Sequence, residues 1–312
     1  MITAISPATI SEIPLSPVTG TGRVSLIDQI AVTDVIAAYR AIGVDVESMF
    51  GPLQSIQVFR CDDTGYRFYF PYELAADAPF YAKLQRNDEY YASWRWEHGE
   101  AVAALADSHR ILEIGSGTGN FLARLRDEFG KNVCGLELNP RALEIGLERG
   151  LNMVGQRIEE FADRRVGQFD AVCTFQVLEH VPDVGSFLRA VCAVLSPGGK
   201  LIVGVPNNNP YPYKFDRLHA LNLPPHHMGL WNRSALERIG NFFPLSPIMM
   251  REEPLQDVGY FWSVYLTHLR QTRPALYYLL SKVPWRVTLL LQAATKRWTP
   301  GLNIMAVYQR GD

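Results

Sequence analysis

Cysteine is scarce in this chain: four in 312 residues, scattered at Cys61, Cys134, Cys173 and Cys192. That spacing is no disulfide framework, so they read as small buried hydrophobes of a reducing compartment, taken here as the cytoplasm. Net charge is also lacking. Thirty Lys and Arg stand against 32 Asp and Glu, which gives no ground for a nucleic-acid partner. No run reaches the roughly 18 uncharged apolar residues of a membrane span; the nearest, 287–295, lies between Arg286 and Lys296. No Lys or Arg precedes Arg23, so the start is not a secretory signal, and residues 1–22 read as a poorly ordered leader. What is present is 47% hydrophobic content, enough for one large domain or two modest ones.

Two halves differ in rhythm. Residues 24–50 carry Ile27, Ile30, Val35, Ile36 and Tyr39 at roughly helical spacing, and 55–72 alternate as an aromatic hairpin turning at Asp62–Gly65. Residues 79–108 read as helical, with Tyr90, Tyr91, Trp94 and Trp96 as core or as a lid. Together 23–100 are expected to form a helical and hairpin cap. From 101 strands and helices alternate. Strands are expected at 111–115, 133–138, 152–155, 170–175, 200–205, 246–251 and 302–309, with helices near 118–129, 140–150, 183–195 and 233–242. This βαβ order predicts an α/β fold whose parallel sheet carries helices on both faces.

Four stretches carry chemistry. Arg110-Ile-Leu-Glu-Ile-Gly-Ser-Gly-Thr-Gly119 is a buried strand entering a turn with glycines at 115, 117 and 119. Such a turn lets backbone approach a nucleotide-type ligand. A dinucleotide fingerprint would place its third glycine at 120, which is Asn120. Glu137 ends the next strand, where a carboxylate can accept from both ribose hydroxyls. The loop Gln176-Val-Leu-Glu-His180 follows a third strand. Finally, Asn207 to Trp231 holds Pro224-Pro-His-His227, too irregular for core and rich in polar side chains.

As a set, these stretches over about 100–210 resemble the class I S-adenosylmethionine (SAM)-dependent methyltransferases. The resemblance implies a Rossmann-like seven-stranded sheet with an antiparallel last strand, and SAM as cofactor. By position it implies Glu113, Gly115, Ser116, Gly117 and Gly119 at the methionine part, Glu137 on the ribose, Leu138 and Ile158 about the adenine, and Gln176 below the sulfonium. Arg157 stands where many members carry an acidic residue. The loop also resembles that of ubiquinone-type O-methyltransferases, some of which bind a divalent metal there. Gln176 lacks the charge a magnesium site wants, the His226–His227 pair has no third ligand nearby in sequence, and Thr64 stands where a cap zinc knuckle would have its second cysteine after Cys61. No metal is therefore expected, and activity should survive chelation. His180, His226 and His227 are the candidate bases, taken to titrate near neutrality. The expected acceptor is a small molecule or glycan-type metabolite, methylated on oxygen, with nitrogen or carbon left open. An NAD-dependent oxidoreductase and a non-catalytic SAM-binding protein remain as alternatives. The basic segment 264–300 suits a core cap, a subunit contact or an anionic membrane surface, and the oligomer is left open.

Overall fold

The computed structural model describes residues 13–76, 80–81, 94–209, 215–284, 286–287, 290 and 300–311. Two sheets organise them. The first has order β1–β2–β3–β9, from β1 (Val24–Ala31), β2 (Ser55–Cys61), β3 (Arg67–Phe70) and β9 (Gly229–Leu230). Residues 24–31 thus form a strand where helix was expected, and the rest of 24–50 is helical only over Val32–Ala41 (α1) and the short turn Glu47–Phe50. Pairing of 24–31 with β2 overrides their helical spacing. The hairpin β2–β3 forms as expected. Of the expected helix over 79–108, Trp96–Ala104 is helical (α2 here), and residues 82–93, with Tyr90 and Tyr91, lie outside the described ones.

The second sheet has seven strands: β4 (Arg110–Ile114), β5 (Asn132–Leu136), β6 (Met153–Val154), β7 (Phe169–Phe175), β8 (Leu195–Pro206), β10 (Leu245–Pro254) and β11 (Pro300–Arg310). Their order is β6–β5–β4–β7–β8–β11–β10. Strands β4 to β8 are parallel, and β11 enters antiparallel between β8 and β10. This is the Rossmann-like sheet that the resemblance implied. The inner strands are covered on both faces. Ile111, Leu112, Ala171, Val172, Leu201, Ile202 and Ile304 are all completely buried. Hence these segments read as continuous apolar runs rather than alternating ones. Each such aliphatic side chain contributes about 1.5–3 kcal/mol by leaving water.

Local signals end the helices as they should. Asn139 caps α3 (Pro140–Glu148) by accepting from Arg141 N and Ala142 N, with Pro140 in its first turn. Gly130, left-handed, closes the helix Asn120–Phe129. The leader is not wholly free, contrary to expectation. Val18 is buried in the core, and the carbonyl of Pro17 accepts from Gly185 N at 2.7 Å. Residues 1–12 lie outside the described ones.

The chain leaves β4 for β5 and β6 on one side, then returns to β7 and β8 on the other. The strand order therefore reverses between β4 and β7. In open α/β sheets ligands bind at such a switch point, beyond the strand carboxyl ends. The loops that emerge there are Gly115–Gly119 and Gln176–His180.

Candidate active site

A cavity of about 490 Å³ opens at that switch point. One wall is the glycine turn. Gly115, Gly117 and Gly119 have φ of 73°, 53° and 77°, and Gly115 N and Ser116 N both donate to Leu136 O. A side chain on Gly115 would meet Val177 Cγ2 at 2.3 Å, so the turn and the loop after β7 fit only with glycine there. Glu113, Gly115, Ser116, Gly117 and Gln176 line the cavity.

Four expected cofactor contacts are not brought to its wall. Gly119 packs against Leu151 and Met153, Ile158 is in the core, and Leu138 is exposed. Glu137 folds back over the turn, accepting from Gly117 N and Asn139 N, each at 2.7 Å.

Glu113 is 4% exposed, and its Oε2 has no protein partner. Burial, then the charge of Glu137, pushes its carboxyl well above the usual range. Gln176 has a left-handed backbone, with φ of 55°, and its Nε2 donates to Glu97 Oε1 and Asn303 Oδ1, each at 3.2 Å. Asn303 in turn donates to Glu253 Oε2 at 2.8 Å. Sequence reasoning missed Glu97, Asn303, His98 and Arg95. Arg95, His98 and Asn303 line the cavity while Glu97 stands behind Gln176, and they come from α2 and β11, far from the glycine turn in sequence. Only the Trp94–Trp96 aromatic cluster marked α2, and it marked packing: Trp94 lies against Phe121 and under the Arg124 guanidinium.

The opposite wall is histidine-rich. His180, His226 and His227, expected separately as bases, meet with ring centroids 4.6–4.9 Å apart. The cap holds them. Tyr39 Oη donates to Leu223 O, Tyr69 Oη donates to Asn222 O, and Met228 O accepts from Tyr69 N. From the other side the Glu179 carbonyl accepts from Met228 N and Gly229 N. The expectation of titration near neutrality is corrected by this packing. Burial lowers His180 to about 4 and His226 to about 3, and burial with the two neighbouring rings holds His227 well below the usual histidine range. All three are neutral imidazoles at pH 7. Glu179 beside them is fully buried, both carboxylate oxygens lack a partner, and burial raises it to about 8.

A family profile described as "Methyltransferase domain" matches residues 84–241, just over half of the chain. The chain belongs to the class I SAM-dependent methyltransferase family. That membership sets aside the oxidoreductase alternative. Among curated relatives, the ubiquinone biosynthesis O-methyltransferase of Bordetella avium is 34% identical over 127 residues, 39% of this chain and 52% of that protein. The one from Alkalilimnicola ehrlichii is 37% identical over 120 residues, 36% and 48% respectively. The chain thus spans about half the length of the curated relatives it matches. Among solved structures, a SAM-dependent methyltransferase from Archaeoglobus fulgidus aligns at TM-score 0.48 and 15% identity, over 68% of this chain and 90% of that one. A phosphoethanolamine N-methyltransferase from Haemonchus contortus, in complex with SAM, aligns at 0.49 and 16%, over 93% and 69%.

The residues present fit SAM. A cationic amino group is what the partnerless buried oxygen of Glu113 lacks, and the backbone of the glycine turn offers close approach. Cys61 is a free buried thiol, and Thr64 Oγ1 accepts from Tyr66 N.

Proposed function

We propose that this protein moves a methyl group from SAM to an oxygen of a small-molecule or glycan-type acceptor. The observation that carries the reading is the juxtaposition in one cavity of Glu113 under the glycine turn and the three neutral histidines opposite. Glu113, Gly115, Ser116 and Gly117 receive the amino-acid end of the cofactor, with Gly119 shaping the turn. Glu137 takes the ribose, giving up the Gly117 N–H it now holds, and Leu138 and Ile158 flank the adenine side. Gln176, locked by Glu97 and Asn303, fixes the cavity floor between the two reactants. Bound there, SAM supplies a methyl group already activated on a sulfonium. The work of the chain is to align the acceptor and exclude water.

His180, His226 and His227 form the acceptor wall. Each Nδ1 is engaged by an oxygen, so each ring presents Nε2 as a hydrogen-bond acceptor toward a hydroxyl. Oxygen is favoured because the curated relatives carry O-methyltransferase names. We assign the chain to the cytoplasm from its unpaired cysteines; among the described residues no helix is long and apolar enough to cross a membrane. A peripheral contact with an anionic surface is one reading of 264–300, beside a core cap or a subunit contact; Tyr278, Leu279 and Leu290 are exposed there among Arg270, Arg273, Lys282 and Arg286.

The test has two arms. Calorimetry should show SAM binding that Gly117→Val abolishes. Methyl-labelled SAM incubated with a metabolite extract should yield a labelled product by mass spectrometry. Binding of NADH in place of SAM would overturn the reading. SAM binding with no labelled product from any extract would leave a non-catalytic SAM-binding protein.

A further inference from the structure

The three histidines do more than wall a cavity. One ring nitrogen from each lies within 4.8 Å of the other two. Which nitrogen is decided by their other bonds. His180 Nδ1 donates to His226 O at 2.6 Å, and His226 Nδ1 donates to Leu221 O at 2.8 Å. His227 Nδ1 is 3.1 Å from Asn222 Oδ1, and that amide is oriented by its own Nδ2 donating to Asn208 Oδ1 at 2.8 Å. Every Nδ1–H is therefore committed to an oxygen, and every Nε2 carries a lone pair. An oxygen acceptor on Nδ1 is the outer partner that metal-bound imidazoles have, fixing tautomer and ring orientation.

Among the described residues one of these lone pairs is buried and unanswered. His226 Nε2 is buried without a partner, and so are both carboxylate oxygens of Glu179. Glu179 Oε1 stands 3.8 Å from His180 Nε2. An unanswered, buried imidazole nitrogen thus stands among two further imidazoles and an unpartnered carboxyl group.

We propose that His180, His226 and His227 form a binding site for a divalent transition-metal ion. Three imidazoles suit zinc, cobalt, iron or nickel rather than magnesium, which wants oxygen ligands. A tetrahedral zinc site sets its ring nitrogens about 3.3 Å apart, so the rings must draw together from their present spacing of up to 4.8 Å when the ion binds. Three protein ligands leave a fourth position toward the cavity, the arrangement of a catalytic rather than a structural site. The expectation of a metal-free enzyme weighed the His226–His227 pair and the Gln176 loop separately; the fold supplies His180 to the pair as the missing third ligand. Any use of the ion in methyl transfer, by polarising the acceptor hydroxyl, rests on the function proposed above. The existence of the site does not.

The test uses the untagged full chain, stripped with a chelator and titrated with Zn²⁺ and Co²⁺ alone. One ion per chain is expected, with Kd at or below about 1 μM, and Co²⁺ should show the intense visible bands of a tetrahedral site. Mg²⁺ should not compete. His226→Ala and His227→Gln should each weaken Zn²⁺ binding at least about tenfold, since even loss of an outer partner costs that much. Absence of one-to-one binding, or a smaller loss in either variant, overturns the site. Should a variant fail to fold, zinc-edge absorption of the wild-type chain counts the imidazoles: three support the site and fewer overturn it. A SAM titration of the same stripped sample reports separately on the methyltransferase reading.

Discussion

Gly115→Ala probes the seam between the two loops that make the site. Gly115 has φ of 73°, and a non-glycine residue held left-handed costs about 1–2 kcal/mol. The new methyl would sit 2.3 Å from Val177 Cγ2, more than an ångström inside ordinary contact. Forcing an extra methyl into a packed seam adds about 1–3 kcal/mol. The single variant should therefore lose about 2–5 kcal/mol of stability, and SAM affinity should fall because Val177 adjoins Gln176, which lines the cavity. Val177→Ala removes the methyl that is struck. In the double variant only the backbone cost should remain beside the small loss from Val177→Ala itself, so the pair should be coupled by about 1–3 kcal/mol of relief. Urea unfolding of the four proteins measures this cycle. Strict additivity, with the double variant as unstable as the sum of the singles, would refute the claim that the Val177 contact is what requires glycine.

The remaining predictions concern charge. Glu137→Ala should weaken SAM binding by about 1.5–3 kcal/mol, the size of a charge-assisted hydrogen bond, and calorimetry with unchanged affinity would sink the ribose assignment. Burial, then the charge of Glu137, raises the Glu113 carboxyl well above the usual range, so receiving a cationic ammonium should drive off its proton, and SAM affinity should rise with pH; Glu113→Gln should abolish both the proton release and its dependence on buffer ionisation enthalpy. Asp170 is lowered to about 2, first by the side-chain bond from Arg110 and then by backbone donors. Its contribution to stability is complete above about pH 4 and lost as pH falls through about 2, so Asp170→Asn should flatten acid unfolding in that window alone. If 264–300 meets an anionic surface, vesicle co-sedimentation should fall as salt rises, and changing Arg286, Lys296 and Arg297 to Gln should reproduce the loss at low salt; binding indifferent to both would reduce the segment to a cap or subunit contact. Lys296 and Arg297 lie outside the described residues.

The chain's local order determined its sheet. Apolar runs bounded by turn residues place β4 to β8, because a strand buried on both faces has no polar side to show. Helix ends are equally local: Asn139-Pro140 and Gly130 act within one turn of themselves. The glycine turn and Glu137 were readable because a close backbone approach needs those residue types wherever it occurs. Other features were decided only by pairing across the fold. Residues 24–31 have helical spacing, yet β2 offers them a ladder of hydrogen bonds, and the strand wins. The floor of the cavity joins Glu97, Gln176, Asn303 and Glu253, from four separate elements that no spacing connects. The same holds for the histidines. His180 is distant in sequence from the Pro-Pro-His-His segment and meets it because Tyr39, Tyr69 and the Glu179 carbonyl grip 222–229 from two sides. Sequence could rank each histidine as a base near neutrality; burial, which is a property of the packed whole, makes all three neutral, and the fold brings one ring nitrogen of each within 4.8 Å of the others.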